Sequence, residues 1–330
     1  MGGIFDLISE FYFHQPANAI SVVEKPTQYQ FNYRQILLLI NLIYTIPSFY
    51  IYSKCRKLLR ENSNNHFNTI FSNDFHINVA LFIIDIISTR LPISGLINNY
   101  PSFLPSGYFL TIIYFLSYYL IYANYFSSTL ICLNRMTSVI YISSNFWQRH
   151  TKQTIIIIYI LSLIPTWQML TYDAFFYTLI ANDSRYQMIY NTTIIKIYIR
   201  NSSSLATISL ILAIICIIFN IITILKYRQT IQKSQSSWMT NSKQKQNRRI
   251  ELTMLIVAII ACSSLILQCA IQILIMVFTE IPSIRGTAQD MRNFCLDISI
   301  CGPPWVLYFS SISSRNKIGS ISEINSRITK

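Results

Sequence analysis

Residues 204–225 read SLATISLILAIICIIFNIITIL, twenty-two positions without a charge, and Lys226-Tyr227-Arg228 follows at once. At a rise of 1.5 Å per residue, an α-helix over this run measures about 33 Å, enough to cross a hydrocarbon core about 30 Å thick. Six further apolar runs of spanning length surround it, at about Phe31–Tyr52, Phe75–Ile97, Gly107–Leu133, Thr154–Phe176, Leu252–Phe278 and Phe294–Ile312. The expected fold is all-α: a seven-transmembrane helix bundle over residues 31–312. Residues 1–30 form an extracellular N-terminal segment and 313–330 a cytoplasmic tail.

Composition agrees with lipid as the solvent. Of 330 residues 52% are hydrophobic and 12% charged, where soluble domains carry roughly 25% charged residues. The net charge of +13 raises nucleic acid as a partner, but the Lys and Arg sit in short connections between the apolar runs, which excludes a basic nucleic-acid face. They are also asymmetric. With the N-terminus outside, 18 of the 26 basic residues fall on the cytoplasmic side, 7 (Arg292 among them) fall outside, and Arg90 lies within the second span. Positive charge collects on the cytoplasmic side of membrane proteins, so the expected orientation is N-out and C-in. Three glycosylation sequons, at Asn182, Asn191 and Asn201, fall in the connection between spans four and five, on the side that the charges place outside. No signal peptide is evident, so the first span is expected to direct insertion into the plasma membrane.

Polar groups within a span need a partner or a water-filled cavity. Asp85 and Arg90 share the second span, five residues apart and thus off the helical neighbour spacing of three or four, so a direct pair would be strained and each is open to a partner on another helix; Asp297, entering the seventh, is one candidate for Arg90. On the third span Tyr114, Tyr118, Tyr122 and Tyr125 recur on one face, and the sixth carries Gln268 and Gln272 one turn apart. Such a stripe is packing more often than a pocket. As a pocket, Tyr114, Tyr118, Tyr122, Gln268 and Gln272 would contact a small-molecule ligand. The seven cysteines form no metal-binding or CxxC spacing, and the expected reading is small buried hydrophobes.

At the cytoplasmic end of the third span the sequence reads Leu133-Asn134-Arg135-Met136-Thr137-Ser138, with Phe146-Trp147 in the following connection. In the seventh, Asp297 precedes Pro303-Pro304-Trp305-Val306-Leu307-Tyr308. These two stretches, on a seven-span layout, resemble the nematode serpentine receptors of class gamma, chemosensory G-protein-coupled receptors. The resemblance implies a receptor that senses a small molecule outside and activates a heterotrimeric G protein through a face including Asn134, Arg135, Arg248 and Arg249. It departs from the larger rhodopsin-like family in three ways. Asn134 stands where an acidic residue usually precedes the arginine, the seventh span lacks Asn-Pro-x-x-Tyr, and no Cys is present to tie the second external connection to the third span.

Other classes fit less well. No Lys lies in the seventh span to carry a retinal Schiff base. The four His are scattered over both sides, which argues against a zinc hydrolase, and a chain with seven Gly offers no phosphate loop. Neither an enzyme nor a resident cofactor or metal is expected. The alternative is a membrane transporter or ion channel, which repeats, broken helix pairs or a ring of intramembrane carboxylates would favour; the sequence shows none of these.

Overall fold

The computed structural model describes residues 33–62, 65–97, 100–104, 107–140, 146–178, 186–190, 201–235, 242–278, 287–288 and 290–309. Among them seven helices reach eighteen residues or more. These are α1 (Tyr33–Asn62), α2 (Asn65–Asp85, continuing through a π turn at Ile86–Arg90 into a last α turn at Leu91–Ser94), α3 (Tyr108–Ile140), α4 (Phe146–Leu163), α5 (Asn201–Gln235), α6 (Ser242–Val277) and α7 (residues 290–309). Five of them, α1, α2, α3, α5 and α6, are long and apolar enough to cross a membrane. The chain has an all-α membrane fold, with one two-stranded hairpin, β1 (Ala174–Thr178) and β2 (Tyr186–Tyr190), beside the helices.

Helix α3 is the axis of the bundle. It packs against α2, α4, α5 and α6, and from Leu120 to Tyr125 every residue is buried, so no face there meets solvent or lipid. A helix with no polar face and no exposed face must be central. Its neighbours close the main core through Leu81, Leu212, Cys216, Ala258, Leu265, Leu296 and Ile300. Helices α1 and α5 are peripheral: their apolar windows are 28% and 33% buried, against 56% for α2 and α3 and 61% for α6. The outer faces carry Leu39, Ile40, Ile43 and Ile46 on α1, and Leu210, Ile211, Ile214, Ile218 and Ile221 on α5. Contiguous apolar surface of this extent is unstable in water and normal in a bilayer. All seven cysteines are buried and free, as their apolar surroundings predict.

The helices overrun the apolar segments at several ends. α2 begins ten residues before the expected Phe75, and α5 and α6 extend to Gln235 and back to Ser242, so most of the expected basic loop is helical. Hydropathy marks the lipid-embedded length only, whereas Lys, Gln and Arg are good helix formers beyond it. The fourth segment departs the other way. Instead of continuing to Phe176, α4 stops at Leu163; Pro165 follows, which biases the residue before it away from helix. A 3₁₀ turn, Trp167–Thr171, then leads into β1. The aromatic run Phe175-Phe176-Tyr177 pairs antiparallel with β2, in register from Ala174↔Tyr190 to Thr178↔Tyr186.

The hairpin is held on the first turns of α3 without a disulfide. Thr111 Oγ1 accepts the Ala174 N–H at 3.0 Å and lies 3.2 Å from the Tyr172 carbonyl. Ala174 and Met188 bury against Leu110 and Ile113, while Tyr100 meets Phe176 edge-on at 5.4 Å. One hydroxyl and a small apolar cluster thus do the positioning that a disulfide does elsewhere.

Candidate functional site

Among the described residues, two buried polar centres and a cavity lie within the bundle. In the first centre Arg90 bridges three helices. A five-residue separation misaligns two side chains on an α-helix, but the segment between Asp85 and Arg90 is a π turn closed by the Leu91 N–H to the Ile86 carbonyl. Its i→i+5 repeat brings positions five apart over one another. Arg90 Nε accordingly donates to Asp85 Oδ2 at 2.5 Å, and Nη2 donates to Asp297 Oδ1 on α7 at 2.7 Å. The direct pair is therefore made, and Asp297 joins it from the far end of the sequence. Pro92, which has no N–H for an α ladder and whose ring crowds the carbonyl four residues back, favours the wider turn just before it.

Helix α1 completes this clamp through Tyr44, whose hydroxyl donates to Asp297 Oδ2. That hydroxyl has one hydrogen, so Asn41 must turn its amide nitrogen towards Tyr44, and its oxygen then accepts from Arg90 Nη1 at 2.8 Å. Arg90, Asp85 and Asp297 are all at most 4% exposed.

The second centre escapes a reading of hydropathy. Asp74 lies one residue before the expected second span, yet the long α2 places it inside the bundle at 3% exposure. It accepts from Tyr52 on α1 at 2.5 Å, from Ser127 on α3 at 2.6 Å and from Asn78 at 2.9 Å. Asn78 in turn accepts from Asn124 on α3 at 2.7 Å, and Ser299 on α7 reaches Asn124 at 3.5 Å. Three donors converge on the one carboxylate, as a buried polar group requires.

Beside the clamp, a cavity of about 50 Å³ opens between α2, α3, α7 and the hairpin. Its α2 wall is the π turn, with Ser88 and Thr89. Tyr114, Ser117 and Tyr118 form the α3 wall, Gln187 and Met188 of β2 cover it, and Arg292 and Asn293 of α7 close it. Ser88 and Ser117 meet across it at 3.4 Å. Cavity and clamp share a wall, since Arg90 Nη2 also reaches the Asn293 carbonyl at 3.5 Å. At about 50 Å³ the cavity has room for a small polar group, not for a whole drug-sized ligand, whose sites run to roughly 300–1,000 Å³.

Of the predicted ligand contacts, Tyr114 and Tyr118 line this cavity, and their rings pack at 5.1 Å. Tyr122, Gln268 and Gln272 do not line it. They are buried in the bundle, and Tyr122 Oη and both Gln Nε2 atoms lack a partner among the described residues. The cavity engages α2 and the hairpin, where the Tyr–Gln pattern points only to α3 and α6. Ser88, Ser117, Arg292 and Asn293 were not singled out from the sequence: single hydroxyls carry no pattern, and Arg292 reads as a charge in an external loop.

At the other end of α3, Asn134 is fully buried with neither amide atom bonded among the described residues. Arg135 lays its guanidinium over the Phe67 ring of α2, 4.0 Å from the centroid. The two halves of the first motif form one unit, since Trp147 Nε1 donates to Thr137 at 2.7 Å. The second motif does the same between α7 and α1. Trp305 Nε1 donates to Ser48 at 2.8 Å, and the Pro304 carbonyl faces the Cys55 thiol at 3.4 Å.

Asn182 and Asn191 lie outside the described residues. Asn201 opens α5, and Arg248 and Arg249 lie in the first turns of α6, but their side chains too are outside what is described. No curated protein matches the chain. The family model for Srg family chemoreceptors matches residues 38–318, which takes in every described helix except the first turns of α1. With both motif stretches inside that match and a polar cavity at one end of its central helix, this multi-pass membrane protein belongs to the Srg family of chemoreceptors.

Proposed function

We propose that the chain is a seven-span, N-out chemosensory receptor in the plasma membrane that detects a small molecule in the cavity beside the Arg90 clamp and signals to a heterotrimeric G protein. The observation that carries this reading is the polarity of α3. Tyr114, on the cavity, and Arg135, over Phe67, are 21 residues apart on one unbroken helix, a separation of about 32 Å, or one membrane thickness. A ligand site and an arginine-bearing face at opposite ends of the central helix suit a receptor that transmits across a bilayer.

In this reading Tyr114 and Tyr118 contact the ligand. Tyr122, Gln268 and Gln272 extend the ligand-responsive region inward, with buried polar atoms available to a rearranged partner. The cavity shares α7 with the clamp, so a ligand that binds one arrangement of α2 and α7 better than another shifts the population of states. Asn134 is neutral and offers Arg135 no charge-paired lock of its own, and Arg135 stacks on Phe67. A cation–π contact is worth about 0.5–2 kcal/mol, weak enough for a ligand to release. Asn134, Arg135 and the basic start of α6, with Arg248 and Arg249, form the G-protein face.

The test is Arg135→Ala in cells that respond to a ligand of the wild-type receptor. Signalling is expected to fall at least tenfold while surface expression and ligand binding persist. Full signalling by the variant would remove Arg135 from the coupling face.

A further inference from the structure

The receptor reading leaves the ligand's chemistry open, and the charges around the cavity narrow it. Helix α7 enters the bundle with two acids on either side of Arg292, and both are taken by other helices. Asp290 is held by Arg34 of α1 at 3.0 Å and by the Tyr33 hydroxyl at 2.8 Å. Asp297 is held by Arg90 and Tyr44. Arg292 is left half-buried on the cavity wall with no ion pair or hydrogen bond among the described residues. No carboxylate shares the cavity lining with it.

Resting on the proposed receptor function, we infer that the cavity selects small molecules bearing an anionic head group, a carboxylate, sulfate or phosphate, which Arg292 binds. A half-buried guanidinium with neither a counter-ion nor a bonded acceptor among the described residues gains from an anion that enters beside it. Its planar fork of donors matches the oxygens of such an anion, and charge-assisted bonds of this kind are the strong ones. The rest of the lining suits the same group, because Ser88, Ser117 and Tyr118 add hydroxyl donors. An amine finds no anionic partner there. The clamp's carboxylates do not oppose the anion directly, since both are turned onto Arg90.

The test uses full-length protein in lipid nanodiscs and measures the thermal unfolding midpoint, independently of any G protein. The probes are straight-chain carboxylic acids of four to ten carbons, each paired with its neutral primary amide, together with the alkyl sulfate and alkyl phosphate of the same chain. At least one acid is expected to raise the midpoint while its amide does not; the sulfate and phosphate arms identify which anion is preferred. Arg292→Gln is expected to weaken that binding by about ten- to a hundredfold, and Arg292→Lys to restore part of it. Since Arg292 makes no bonded contact among the described residues, neither variant is expected to lower the unliganded midpoint. The inference is overturned if no anion outperforms its amide, or if Arg292→Gln binds as well as wild type. A failed coupling assay or an inverted topology would defeat the receptor reading and leave this binding result standing.

Discussion

Arg90 shows how a single residue in this bundle acquires its meaning. Alone in a span it is an expensive charge; between Asp85 and Asp297, with Tyr44 and Asn41 around them, it holds α1, α2 and α7 at one point. Removing one member of a buried ion pair strands the others, at about 3–5 kcal/mol. Arg90→Ala is therefore expected to lower the stability of the purified protein by about that amount, measured by thermal or denaturant unfolding. Adding Asp297→Asn should recover part of the loss, because it neutralises one stranded carboxylate. Purely additive losses would show that the two residues do not form one clamp. Residue-level reading of the sequence found these three side chains and proposed Asp297 for Arg90. It left the pair with Asp85 open as a strained one, because it assumed an α-helix where the backbone forms a π turn.

Between elements, the decisive quantity is how closely two helices approach. Gly302 lies where α7 meets α6, and a Cβ built on it would stand 2.9 Å from Ile260 Cγ2. A branched methyl on Cβ has little freedom to move aside, so one of the helices must shift. Gly302→Ala is expected to destabilise the fold by about 1–3 kcal/mol, and Ile260→Ala in the same chain should restore much of it. Failure of that rescue in a melting comparison of the four proteins would mean that the helices do not touch there. Helix lengths belong to the same scale. The apolar runs gave the approximate centres of most helices, but not where α2 begins or where α4 ends. Asp74 reads as a loop acid until α2 is known to start at Asn65, and it is then a five-residue polar node with Tyr52, Asn78, Asn124 and Ser127.

At the scale of the whole molecule the proposal to test is direction in the membrane. The 18-to-7 division of basic residues and the sequons place the connection between α4 and α5 outside and the C-terminus inside. A C-terminal epitope tag is expected to be stained only after the cells are permeabilised. Glycosidase treatment should increase gel mobility in the wild type, and less so once Asn182 and Asn191 are changed to Gln. Staining of the tail on intact cells would reverse the topology and with it the placing of the cavity on the outer side.

Transfer to lipid depends on a run of neighbouring side chains, so the sequence by itself determined that this is an all-α membrane protein. Its two motif stretches carried the family resemblance that the match over residues 38–318 bears out. What only the tertiary structure decided depends on partners far apart in the chain. Whether Arg292 is a loop charge or a cavity wall rests on Asp290 being taken by Arg34, 256 positions away, and Asp297 by Arg90. The cavity is closed on one side by Gln187 and Met188 of a hairpin that folds over α3, of which only the first three residues fall in the expected fourth span. Local hydropathy cannot encode which charges are already paired, and among the described residues of the cavity wall the unpaired charge, Arg292, is the one on which the proposed ligand rests.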